Sequence, residues 1–150
     1  MSQSLTDVLI HIVFSTKNRE KILHEEIRHK LYAYISGIFK NKKCNHYQIG
    51  GIDDHIHISC SLPKTISISD LIKEIKTSTS LWLKNKENDL KDFHWQTGYG
   101  VFSLSPVHLR GLCEYIARQT EHHKHIDFKE EFLRLLNKYN INYDERYLWN

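Results

Sequence analysis

Proline and glycine are scarce, with two and six residues in a chain of 150. Neither a collagen-like repeat nor a Pro/Gly-rich disordered linker is therefore present. Cysteine is rare and odd in number: Cys44, Cys60 and Cys113 contain no Cys-x-x-Cys pair. That excludes a zinc ribbon, a thioredoxin-type redox pair and a disulfide framework. Cys60 and Cys113 fall in apolar patterns, so buried, reduced thiols in a reducing compartment are expected. No apolar run reaches the roughly 18 residues of a membrane span. The first residues also lack the basic segment and apolar run of a secretion signal, so a cytoplasmic protein is expected. Neither sign of charge dominates: 21 Lys and Arg stand against 18 Asp and Glu, for a net charge of +3. Such an excess is compatible with a nucleic-acid partner without singling one out. No repeat, low-complexity segment or linker interrupts the chain. One domain over residues 1–150, long enough to bury a real core, is expected.

What the chain has in excess is histidine, eleven in all, which directs attention to metal and phosphate chemistry. Val8, Ile10, Ile12 and Phe14 alternate with Leu9, His11 and Val13, a first strand apolar on both faces and hence central. The basic loop 15–21 is either a solvated connection or a phosphate contact. Ile27, Leu31, Tyr34, Ile35 and Ile38 stripe a helix over 24–40. Residues 44–52 form a second strand, and Asp53-Asp54 turns it into a third over 55–62, a hairpin ended by Pro63. Ser67 caps a second helix reaching residue 84, striped by Ile68, Leu71, Ile72, Ile75, Thr79 and Trp82. After a polar loop over 85–92, aromatics around Gly98 and Gly100 lead into a last strand. Ser105-Pro106 starts a third helix over 105–123. Asp127 starts a fourth helix, with Phe128, Phe132, Leu135, Leu136 and Tyr139 on one side. The tail to residue 150 should dock through Tyr147, Leu148 and Trp149.

The order is β-α-β-β-α-β followed by C-terminal helices. It predicts an α+β, ferredoxin-like fold: a four-stranded antiparallel sheet with helices mainly on one face. The first and third strands are then central neighbours, and the uncovered face presents His55 and His57 with His11 beside them.

On the third strand Ile56, Ile58, Cys60 and Leu62 alternate with His55, His57, Ser59 and Ser61. One face is apolar and the other polar, and side chains two apart lie close enough to grip one ion. A polar, solvated face explains the pair equally well. Two rival chemistries fail at once. A histidine-triad hydrolase needs a third alternating histidine, where Ser59 stands. A two-histidine phosphoesterase needs His-x-Ser/Thr twice, and His57-Ile58-Ser59 is its only instance. On the third helix, Leu109, Leu112, Cys113 and Ile116 form the core stripe. His108, Tyr115, Gln119 and His122 form a polar stripe about 90–110° away, suited to a cleft or subunit interface. Tyr115 and Gln119, at i and i+4, share a face. His122-His123-Lys124-His125 reads as a cationic helix end, His11 as a hydrogen-bonded structural residue, and Asp53-Asp54 as turn chemistry.

Taken together, His11-Ile12-Val13-Phe14-Ser15-Thr16-Lys17, His55-Ile56-His57, Trp95-Gln96-Thr97-Gly98-Tyr99-Gly100, Tyr115-Ile116-Ala117-Arg118-Gln119 with His122-His123, and Tyr143-Asp144-Glu145-Arg146-Tyr147-Leu148-Trp149 resemble one family. It is the single-tyrosine HUH transposases of small bacterial insertion sequences, the IS200 type, with the REP-associated tyrosine transposases as relatives. The resemblance covers nearly the whole chain in the family's order. It implies that Tyr115 attacks a single-stranded DNA phosphodiester at hairpin-bearing element ends, leaving a 5′-phosphotyrosine and a free 3′-hydroxyl. His55, His57 and Gln119 would hold a divalent ion, Mg²⁺ or Mn²⁺. A homodimer is implied, in which the tyrosine helix of one chain can complete the other's site in trans, working at the nucleoid. The resemblance leaves the general base and the roles of His11, His122 and His123 open. Lys17, Arg19, Lys21, Lys73 and Lys76 are the candidate DNA-backbone contacts. Since ligating histidines must be neutral, activity is expected to fall below about pH 6.5. The rival classes are a catalytically silent, domesticated hairpin-binding protein on the same fold and a water-using or relaxase-like nicking nuclease.

Overall fold

A computed structural model describes residues 2–150. Strands β1 (Leu9–Ser15), β2 (His46–Ile52), β3 (His55–Ser61) and β4 (Gly100–Ser103) form one antiparallel sheet in the order β2-β3-β1-β4. Helix α1 (Glu25–Asn41) joins β1 to β2, and α2 (Ile68–Lys84) joins β3 to β4. This is the expected ferredoxin-like arrangement, with β1 and β3 adjacent at its centre. Every residue of β1 is buried, as its two apolar faces require. The β2–β3 hairpin closes on Asp53-Asp54, with Ile52 opposite His55.

One face of the sheet carries Ile10, Ile12 and Phe14 of β1 and Ile56, Ile58 and Cys60 of β3. It packs on Leu31 and Ile35 of α1 and on Leu71, Ile72 and Ile75 of α2. Ser67 caps α2 by accepting from the Asp70 amide at 3.1 Å, satisfying a donor that the first turn leaves free.

The other face is not open, and here the expectation of an uncovered histidine surface is corrected. Helix α3 (Leu109–Ala117), α4 (Gln119–His122) and α5 (Phe128–Lys138) lie over it, followed by a last short turn, α6 (Glu145–Leu148). α3 packs on β2 and β3. Gly50 permits this approach, because a Cβ there would stand 2.5 Å from the Ile116 carbonyl. α5 seats Phe128, Phe132 and Leu136 against Val13 and Phe102, with Leu148 and Trp149 of the tail packed on them. The single helix expected over 105–123 is instead a 3-10 turn (Pro106–His108) followed by α3 and α4, which part at Arg118, where φ is −100° and ψ 18°.

Candidate active site

The alternation of β3 sends His55, His57 and Ser59 to the face beneath α3, α4 and α5, and all three are fully buried. Ionisable side chains in so dry a place need partners. The asymmetry of the two ring nitrogens shows how each is met. His55 donates through Nδ1 to Asp54 Oδ1 at 2.6 Å, and its Nε2 faces Gln119 Oε1 at 2.8 Å. His57 shares Nδ1 with His11 Nε2 at 2.8 Å, the two rings stacked. His11 thus sets the orientation of His57, the structural role read for it. Asp54 does more than turn the chain: its carboxylate holds the His55 ring.

At the meeting point stands a residue that the sequence reading overlooked, Glu131 of α5. Its Oε1 lies 3.2 Å from His55 Nε2, 3.0 Å from His57 Nε2 and 3.1 Å from His123 Nε2. Its Oε2 accepts from the Gln119 amide at 2.8 Å and from the Tyr115 hydroxyl, with His122 Nε2 at 3.4 Å. A signal was present. Glu131 sits between Phe128 and Phe132, on the side of α5 that also carries Leu135, and a carboxylate on a buried apolar stripe demands an explanation.

Charges follow from this geometry. Burial disfavours a protonated His55, but the Asp54 and Glu131 carboxylates outweigh it and raise its pKa to about 9. His57 goes the other way, pulled by burial to about 4 despite Glu131. Burial alone would raise Glu131; hydrogen bonds from His123, His55 and His57 instead hold it ionised, far below the usual carboxylate range. Burial, and next the Glu131 charge, keep the Tyr115 phenol protonated well above its ordinary value. The site without a metal is therefore a carboxylate clasped by imidazole donors, the cationic His55 ring among them, with a phenol hydrogen-bonded to it.

The sequence-derived residues sort cleanly. Tyr115, His55, His57 and Gln119 converge within a single chain. His122 and His123 are not a solvated cationic helix end, because both turn inward to Glu131 while His125 stays exposed. Among the cations, Lys17, Lys21 and Lys73 are exposed. Arg19 lies over the Trp149 ring and donates to the Trp149 carbonyl at 3.3 Å. Lys76 is spent on the carbonyls of Gln96 (2.7 Å) and Gly98 (2.5 Å), and burial lowers its pKa to about 8. With Lys73 and Lys84 it lines a groove of about 520 Å³ between α2 and the loop 95–99.

Two sets of ligand atoms could hold a metal ion: His55, His57 and Glu131, and His122, His123 and Glu131, the members of each within 4.8 Å of one another. Imidazole nitrogens with carboxylate and amide oxygens suit a divalent cation of intermediate hardness, so the donors fit the expected metal. Among the described residues, no helix is long and apolar enough to cross a membrane.

Comparison with known proteins bears on the chain's family and fold. The chain is 27% identical over 119 residues to the transposase for insertion sequence element IS200 of Salmonella typhimurium, covering 76% of this chain and 78% of that protein. The Salmonella typhi counterpart matches equally. In fold it resembles a Deinococcus radiodurans protein assigned as a transposase, with TM-score 0.61, 20% identity, and 79% of this chain and 98% of that one covered. It also resembles a REP-associated tyrosine transposase bound to a REP hairpin, with TM-score 0.61, 18% identity, and coverage of 82% and 74%. The family profile described as "Transposase IS200 like" matches residues 4–119, which takes in β1, the histidine pair of β3, Tyr115 and Gln119. The chain belongs to the IS200-like transposase family.

Proposed function

We propose that this transposase cleaves and rejoins single-stranded DNA at hairpin-bearing ends through a covalent 5′-phosphotyrosine on Tyr115. One observation carries the reading: the Tyr115 hydroxyl, both buried histidines of β3 and the Gln119 amide meet at one carboxylate within one chain.

In this reading the Tyr115 oxygen bonds to phosphorus as the bond from phosphorus to the 3′ oxygen breaks. The strand then ends in a 3′-hydroxyl, and its 5′-phosphate stays on the enzyme. A phenol is a poor nucleophile until it loses its proton, and two acceptors are in reach, Glu131 Oε2 and His122 Nε2, the latter at 3.5 Å. Burial lowers the pKa of His122 against the opposing pull of the Glu131 charge, which leaves it a lone pair to offer. A divalent ion, Mg²⁺ or Mn²⁺, held by His55, His57 and Gln119 with Glu131, would polarise the phosphoryl oxygen and offset charge on the leaving 3′ oxygen. Asp54 and His11 position the two rings that bind it. Because the ester to tyrosine preserves the broken bond's energy, rejoining needs no nucleotide cofactor.

Lys17, Lys21 and Lys73 are the proposed contacts to the DNA backbone. Arg19 and Lys76 act through the tail and loop they hold. The hairpin bound by the REP-associated relative supports a hairpin substrate here. A homodimer at the nucleoid completes the reading, its tyrosine helices exchangeable between sites that each chain can also fill alone.

The test is incubation with a single-stranded, hairpin-bearing oligonucleotide and Mn²⁺, resolved on a denaturing gel. A covalent adduct that disappears in Tyr115→Phe is expected. Binding without adduct would make the protein a silent hairpin-binding module, and a released 5′-phosphate without adduct would make it a water-using nuclease.

A further inference from the structure

His123 presents a problem that a single metal ion at the β3 histidines does not solve. Its Nδ1 bonds to the Ile126 carbonyl at 2.7 Å. A carbonyl only accepts, so this nitrogen carries the ring hydrogen. Nε2 then faces Glu131 Oε1 at 3.1 Å. That nitrogen and the carboxylate oxygen meet only with positive charge between them, a proton in the metal-free site or a metal ion in its place. A backbone carbonyl on the distal nitrogen is also how metal-binding histidines are commonly oriented. His122 Nε2 completes the second set around the same carboxylate, and the four imidazoles fall into two sets, not one.

We infer that His122, His123 and Glu131 hold a second divalent cation, with Glu131 bridging it to the ion of His55 and His57. The inference rests on the proposed function, since a bridge requires the first ion. Two imidazoles and a carboxylate suit Mn²⁺ or Zn²⁺ better than Mg²⁺. The position gives this ion a task. Tyr115 donates to Glu131 Oε2, and its oxygen is 3.5 Å from His122 Nε2, so the second ion lies beside the attacking oxygen. Positive charge there favours the phenolate. With His122 Nε2 and Glu131 taken up as ligands, the proton they would otherwise accept passes to water, which reaches the half-buried Tyr115. Two ions about 3.5–4 Å apart can stabilise the attacking and the leaving oxygen together.

Mn²⁺ binding to the full chain tests this by calorimetry and electron paramagnetic resonance, with no DNA present. Two ions per chain and the spectrum of a magnetically coupled pair are expected. His123→Ala should halve the stoichiometry and leave an isolated-ion spectrum. His122→Ala should do the same, and its side chain is 29% exposed, so truncation there leaves the fold intact. Circular dichroism and Tm confirm that each variant is folded. One isolated ion per wild-type chain, with a Tyr115 adduct still forming on DNA, would overturn the second site alone, a proton supplying the charge at His123. No bound ion and no adduct would overturn the proposed function with it.

Discussion

The two faces of β3 are equally dry and chemically opposite. Ile56, Ile58 and Cys60 are fully buried against α1 and α2, and His55, His57 and Ser59 are as fully buried beneath α3 to α5. On the first face, burial itself is the stabilising force, worth about 25 cal/mol per Å² and indifferent to direction. On the second, each buried polar atom costs stability until it is paired, so the structure must supply partners in defined directions. Glu131, Asp54, His11 and Gln119 are those partners. A hydrophobic face tolerates substitutions of shape. The polar face tolerates few of charge, and a protein retains such a face where chemistry requires it.

The sharpest way to break the comparison is Glu131→Ala, which strips the anion from the centre of the polar face. Removing one partner of a buried charge pair costs about 3–5 kcal/mol, and Mn²⁺ binding should vanish with it; chemical denaturation and calorimetry read the two losses. Ile58→Ala is the matching cut on the apolar face. It should cost about 2–5 kcal/mol as a cavity opens, yet the folded fraction should bind Mn²⁺ with wild-type affinity. If Ile58→Ala also abolished metal binding, the two faces would not be separable.

The pH dependence sharpens the contrast because only the polar face titrates. His55, whose pKa rises from 6.5 to about 9, stabilises the metal-free fold below pH 6.5 and loses that contribution as pH rises through 9. His57, lowered from 6.5 to about 4, stabilises above 6.5 and loses its contribution as pH falls toward 4. Tm of metal-free protein should therefore peak near pH 6.5 and fall on both sides. Metal must also displace the His55 proton, so Mn²⁺ affinity should keep rising about tenfold per pH unit until pH 9. That moves the acid limb expected from unperturbed histidines upward. A flat affinity between pH 7 and 9 would show that His55 is already neutral.

Gly50→Ala tests how the polar face is roofed. The added methyl meets the Ile116 carbonyl, so α3 must shift. A cost of about 1–3 kcal/mol is expected. A misplacement near 1 Å at Tyr115 can slow adduct formation by about 10²-fold. The smallest effect belongs to Lys73→Ala on α2. Stability should stay within about 0.5 kcal/mol, and DNA binding should weaken modestly, the salt dependence falling by about one phosphate contact.

What could be read from the residues alone follows the range of each signal. The alternation in β1 and β3, the Asp53-Asp54 hairpin and the caps at Ser67 and Asp127 depend on neighbours within a few positions, and each is found where local rules put it. The inward turn of His122 and His123, and the break at Arg118, depend on what lies across the sheet, and no periodicity registers that. Glu131 was visible as a charge in an apolar stripe, but its meaning lay with His57, 74 residues away in sequence. The tail shows the same division. Trp149 was an obvious docking residue, yet only the fold shows its ring under Arg19 and Lys129.

Residue order and periodicity determined the strand count, the central place of β1 and β3, and the pairing of two histidines on one side of a strand, because side-chain direction along a strand is a property of the backbone. Whether that side would be wet or buried was decided only when α3 to α5 closed over it. A buried carboxylate's charge and partners are set by everything packed around it. That is why the ionised Glu131, the cationic His55 and the Tyr115 hydroxyl bonded to that carboxylate belong to the tertiary structure.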